Sequence, residues 1–125
     1  MFMNLCQVAF GAAIGASMRY GVNLLALRML GPGVPLGTVI VNILGSFCMG
    51  VAIVVLAGGA SHRFAPLLLT GLLGGFTTFS AFSLDALTLY SRGAIWQAAL
   101  YVGLSVIGAL IAIAAGMALA RWGMR

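Results

Sequence analysis

The chain is 125 residues long, 63% hydrophobic and only 6% charged, with a mean hydropathy of +1.20. A soluble domain carries about 25% charged residues, so a single water-facing core is excluded, and little chain is left for an extramembrane catalytic domain. All six basic residues are arginines and Asp85 is the only acid; the resulting +5 is scattered singly, so no nucleic-acid-binding patch forms.

A bilayer explains the composition. Each membrane helix needs about 20 mostly apolar residues, and four of them with short loops consume a chain of this size. The first span covers about residues 4–28 and stops at Gly31-Pro32-Gly33-Val34-Pro35, where two prolines and two glycines end any helix. Its length and its Arg19 also argue against a cleavable signal peptide. The second span covers about 36–56 and closes at the glycines before His62 and Arg63. The third covers about 64–90, with Pro66 tolerated in its first turn. The fourth covers about 94–120, with Trp96 and Trp122 near its ends, at the depth where a tryptophan keeps its N–H wet. Together they make one transmembrane domain, residues 1–125, of the all-α membrane class. Cys6 and Cys48 lie inside apolar stretches without zinc or disulfide spacing and read as packing residues.

Loop charge gives little orientation. One side carries Arg63, Arg121 and Arg125, the other Arg28 and Arg92. The positive-inside rule acts through larger differences, so this near balance permits insertion both ways and a head-to-tail pair of identical chains. Gly11 and Gly15, and Gly71 and Gly75, are four apart, a spacing that lets helix backbones approach closely.

Polar residues are the informative ones in hydrocarbon. Thr38, Asn42 and Ser46 stack on one face of the second span; Arg19 and Asn23 share a face of the first, and Tyr101 and Ser105 of the fourth. Isolated serines and threonines such as Ser17, Thr70 and Thr88 are expected to bond back to their own helix. Asn42 has no such local partner and serves either as interhelical glue or as pore lining. Arg19 is expected to be paired, with Asp85 the only acid available, or to face water. A track of neutral donors with one arginine and almost no carboxylate suits an anion.

The densest cluster lies in the third span, at Gly74-Gly75-Phe76-Thr77-Thr78-Phe79-Ser80-Ala81-Phe82. Paired glycines followed by paired threonines are poor helix formers, so a break is expected there. Irregular backbone at membrane depth is tolerated where it lines a cavity or binds something. Freed carbonyls suit a hard cation such as Na⁺, and the donors beyond them suit an anion. Phe76, Phe79 and Phe82, spaced by three, are expected on one side, where positive ring edges can touch a dehydrated anion.

This nonapeptide resembles the signature of the Fluc (CrcB) fluoride channel family. So does the stretch from Gly37 to Phe47, GTVIVNILGSF, and the stretch from Gly11 to Tyr20, GAAIGASMRY, is similar to the family's opening motif. The fourth span is a weaker match, through Tyr101 and Ser105. The resemblance implies four transmembrane helices per subunit, the third broken mid-membrane, in an antiparallel, dual-topology homodimer with two fluoride pores in a bacterial plasma membrane. It implies that Phe79 and Phe82 meet the ion with their ring edges and that Asn42 presents its amide to the pore. Thr78, Ser80, Tyr101 and Ser105 would add polar lining, and Arg19 would concentrate anions in a vestibule. Gly74 and Thr77 match positions whose backbone carbonyls hold a structural Na⁺. Ala81 stands where many relatives have Thr, and Asp85 near where they have Glu. The implied role is passive export of fluoride, with no enzymatic activity and no nucleic-acid partner. Two other classes fit four spans: a small multidrug exporter, against which the absence of an acid in the first span argues strongly, and a non-conducting membrane scaffold.

Overall fold

The computed structural model describes residues 1–59 and 62–125, and among them every regular element is helical. Helix α1 (Phe2–Leu30) ends at Gly31, whose φ of 79° is open to glycine and strained for other residues, and whose N–H donates to Leu27 O. Helix α2 (Leu36–Ala57) begins directly after Pro35. A 3₁₀ turn (His62–Phe64) leads into a π-helical stretch (Pro66–Leu73), which passes into the single turn α3 (Gly74–Phe76). Helix α4 (Phe79–Ser91) follows after two non-helical residues, and α5 (Ile95–Gly123) after the turn at Gly93.

Among the described residues, three stretches are long and apolar enough to cross a membrane: Leu36–Ala57, His62–Ser91 and Ile95–Gly123. Helix α1 has the length, at 29 residues, but Gln7, Arg19 and Tyr20 lower its apolar character, so it is not one of the three.

Small residues hold the helices together. Helix α1 crosses the π-helical stretch so closely that a Cβ on Gly15 would overlap the Leu72 carbonyl, and one on Gly75 would sit 2.8 Å from Ala12 O. Helices α2 and α5 meet in the same way at Gly50 and Gly116. Such contact maximises van der Waals packing, which drives helix association where lipid is as apolar as leucine. Large apolar side chains point outward instead: Phe10, Leu25, Leu100, Ile111 and Trp122 are all exposed. A surface of this kind needs a hydrocarbon solvent. The small buried cluster of Val39, Leu89, Ala98 and Tyr101 joins α2, α4 and α5 and sets the spacing of the elements around the site.

Hydroxyls within the helices mostly satisfy themselves. Ser17 donates to Ala13 O, Ser83 to Phe79 O, Thr88 to Leu84 O and Ser91 to Leu87 O, each one turn back. Each hydroxyl thereby spends its proton within its own helix.

Candidate functional site

Two threonines leave the helical region. Thr77 has φ −83° and ψ 158°, and Thr78 has φ −152° and ψ 123°, both extended. The paired glycines stay helical: Gly74 has φ −63° and ψ −37°. Glycine lowers the cost of either conformation, so the location of the irregularity is decided elsewhere. It is decided by Asn42. Thr78 N–H donates to Asn42 Oδ1 at 2.7 Å, and Asn42 Nδ2 donates to Thr78 O at 2.9 Å. The carboxamide thus pairs with both backbone groups of one residue, Thr78, as a neighbouring strand would.

Around this pair the chain is closed at both ends. Thr77 N–H and its hydroxyl both donate to Leu73 O, each at 3.0 Å, finishing the preceding helix. Thr78 is the N-cap of α4: its Oγ1 accepts from Ala81 N–H at 3.2 Å and shares a 3.2 Å hydrogen bond with Ser80 Oγ. Two carbonyls lose their helical donors as a result. In a continuous α-helix Gly74 O would receive Thr78 N–H, and Thr77 O would receive Ala81 N–H. Those donors go to Asn42 and to Thr78 Oγ1 instead.

Beside this segment lies a groove of about 360 Å³. Asn42 and Ser46 come from α2, Thr77 and Thr78 from the extended segment, Phe79 and Phe82 from α4, and Ser105 from α5; Met49 and Ile113 are apolar parts of the wall. Ser105 is buried, and its Oγ has no hydrogen-bond partner. A buried hydroxyl without a partner is costly, so a ligand able to accept from it gains a hydrogen bond already desolvated on the protein side. Asn42 adds a second donor, since a carboxamide nitrogen has two N–H groups and Thr78 O uses one.

The rings of Phe79 and Phe82 have centroids 5.4 Å apart at 48°, and Phe82 stacks on Tyr101 at 5.6 Å and 21°. Phe79 is 78% exposed. Phe76 does not join them. Its spacing places it on the same side, but the extended residues reorient the chain after it, and Phe76 is 5% exposed, beneath Gly45 and against the backbone of α1 at Gly15. The expected stripe of three rings is therefore a pair.

Of the other residues singled out from the sequence, Gly74 sits exposed one turn before the extended segment, and Ser80 is exposed just after it. Tyr101 is 2% exposed, behind Phe82, and its hydroxyl donates to Asp85 Oδ2 at 2.9 Å. Arg19 lies half-buried on α1 outside the groove wall, with Nε buried and unpartnered, and Asp85 takes its hydrogen bond from Tyr101. Two further residues of α2 take part in the site. Gly45 leaves the space filled by the Thr77 methyl, and Ser46 lines the groove one turn from Asn42.

Residues 6–117 match the model of the family described as CrcB-like protein, Camphor Resistance (CrcB). The chain belongs to the CrcB-like family. Similar curated proteins carry the name fluoride-specific ion channel FluC. That of Cereibacter sphaeroides is 59% identical over 121 residues, 97% of each chain. The relative in Ruegeria sp. is 52% identical over 122 residues, again 97% of each chain, and that of Agrobacterium fabrum is 46% identical over 121 residues, 95% of this chain and 97% of the other. The matched stretch of this CrcB-like chain contains every groove residue named above, and the three apolar stretches make it a multi-pass membrane protein.

Proposed function

We propose that this chain is a subunit of a fluoride-selective channel, a conduit and not an enzyme, that lets fluoride leave the cell passively. The observation that carries the reading is the Thr78 backbone held extended by Asn42 beside the rings of exposed Phe79 and half-buried Phe82 and the unpartnered hydroxyl of Ser105. The names of the relatives support the choice of anion.

Fluoride is small and holds its water tightly, so a selective pore must offer donors close enough to replace that shell. The free N–H of Asn42, the Ser105 hydroxyl and the positive edges of Phe79 and Phe82 supply such contacts without a fixed charge. Neutrality matters, because an ion that meets a strong cation in a narrow site binds and does not leave. Arg19, off the groove wall, would raise local anion concentration without clamping the ion. Thr78 and Ser80 extend the run of hydroxyls, and Tyr101 with Asp85 backs the Phe82 ring. Export needs no energy source: HF enters by diffusion, ionises in the more neutral cytoplasm, and the anion follows its gradient out.

The assembly belongs to the same proposal. Four spans per subunit, with α1 as the first and the extended segment at mid-membrane, form an antiparallel homodimer with two pores in a bacterial plasma membrane. Near-equal loop charge favours insertion in both orientations, and Phe79, exposed on one subunit, would be covered by the other. A structural Na⁺ fits this arrangement, since Gly74 O and Thr77 O lack helical donors and main-chain oxygens suit a hard cation. Bound there, it would neutralise the carbonyl dipoles and hold the extended segments of the two subunits together.

Fluoride efflux from proteoliposomes tests the reading. Efflux should need a potassium ionophore to balance charge and should exclude chloride. Electroneutral, proton-coupled flux, or no flux, refutes it.

A further inference from the structure

Asp85 is the only acidic side chain, and it lies within the apolar stretch His62–Ser91. Phe82, Asp85, Ala86 and Leu89 follow one another at helical spacing on one face of α4. The others on that face are apolar: Phe82 and Ala86 pack against the buried cluster that Leu89 and Tyr101 help to form. An acid at membrane depth is expensive and marks a function.

The partner of Asp85 is a neutral hydroxyl: Tyr101 donates to Oδ2 at 2.9 Å. The direction of this bond is fixed, because a carboxylate only accepts. Tyr101 therefore spends its one hydroxyl proton on Asp85 and has none to offer an anion. Ser105, one turn further along α5, is the opposite case, with an unpartnered hydroxyl in the groove wall.

What Tyr101 gives the site is its ring. Phe82 lines the groove and stacks on Tyr101, with centroids 5.6 Å apart and planes 21° from parallel. Stacked rings turn together, so the direction of the positive Phe82 edge follows the plane of Tyr101. That plane is held along the ring by burial, at 2% exposure, and at its far end by the bond to Asp85. We propose that Asp85 is a positioning residue for conduction: it anchors the Tyr101 hydroxyl, and the Tyr101 ring in turn fixes the edge that Phe82 presents to the ion. The inference rests on the channel reading and gives the one acid of the chain a part in it.

The test joins fluoride efflux to a direct view of the ring. Meta-fluorophenylalanine is placed at position 82 alone, and fluorine NMR spectra are recorded on the full chain in micelles. An anchored ring flips slowly and shows a separate line for each of its two edges, as expected for the wild type; a loosened ring averages them. Asp85→Leu and Tyr101→Phe should each merge the lines and lower efflux about tenfold, the effect of losing one hydrogen bond to a charged group. The double variant should lose no more than either alone, since both changes remove the same contact. Asp85→Asn drops the charge but keeps an acceptor for the phenol, so it should keep separate lines and stay within about threefold of wild-type efflux. Tyr101→Phe removes a single oxygen and carries the test where Asp85→Leu misfolds. Merged lines in the wild type, separate lines or wild-type efflux in Tyr101→Phe, or losses that multiply in the double variant overturn the proposal. So does a tenfold loss in Asp85→Asn with its lines still separate, which would assign the effect to charge. The spectra need no flux, so a failed anchor leaves the channel reading standing, and a wild type without flux still reports on the ring.

Discussion

Replacing Asn42 with leucine removes the contact that holds the extended segment and keeps much of its volume. Two hydrogen bonds are lost together, those of 2.7 and 2.9 Å to the N–H and C=O of Thr78. Thr78 is 8% exposed, so its N–H and C=O gain little water in exchange. Each buried group left without a partner costs about 1–3 kcal/mol, giving about 2–6 kcal/mol for the pair. Asn42 is half-buried and lines an open groove, so partial hydration brings the expected cost to about 2–3 kcal/mol. At 1.4 kcal/mol per factor of ten, the population with Thr78 extended falls roughly 30- to 150-fold relative to a re-formed helix. Initial fluoride efflux from proteoliposomes, measured with a fluoride electrode, should fall by a comparable factor, and the unfolding temperature in detergent should drop with it. Asn42→Asp separates holding from charge. It keeps an acceptor for Thr78 N–H, loses the donation to Thr78 O, and adds a negative charge beside the anion path, so its flux should fall with a smaller loss of thermal stability. Wild-type flux in Asn42→Leu would refute the reasoning outright, and faster flux in Asn42→Asp would refute the anion path.

Three further outcomes are expected. Phe82→Ile removes the ring packed between Phe79 and Tyr101, contacts worth about 0.5–1.5 kcal/mol each; flux should drop about tenfold or more in it and in Phe79→Ile with the dimer intact by size exclusion, and unchanged flux in both would remove the ring-edge role. Gly15→Val would drive a side chain into the Leu72 carbonyl and the Phe76 amide, so the protein should unfold at lower temperature by several kcal/mol equivalent, as overpacking costs about 1–3 kcal/mol or more; wild-type stability would contradict the crossing. Prolonged dialysis into Na⁺-free buffer, with N-methylglucamine in its place, should abolish flux and restore it on Na⁺ return, whereas full activity throughout would exclude Na⁺ at the Gly74 and Thr77 carbonyls.

Much of the local structure was legible because its causes are local. Gly31, Pro32 and Pro35 mark the end of α1 and the start of α2 through their own backbone limits. Ser17 and Thr88 bond to their own helix because a carbonyl one turn back is always in reach. The candidate site was legible as a set of residue types, with Asn42, Phe79, Phe82 and Ser105 all lining one groove. Phe76 was misjudged because a spacing of three keeps its meaning only while the helix continues, and the chain is extended directly after it. The π-helical stretch at Pro66–Leu73, where α1 crosses closely, has no signal in its residues.

Composition and spacing alone settled that this is a helical membrane chain whose polar groups are almost all neutral donors, because hydrocarbon tolerates no other use of such residues. Which two residues of the third stretch would open was beyond any local propensity: the glycines were free to unwind and stayed helical, while Thr77 and Thr78 extended. The choice was made by a carboxamide 36 positions away in sequence, through hydrogen bonds whose strength exists only once α2 has been packed alongside.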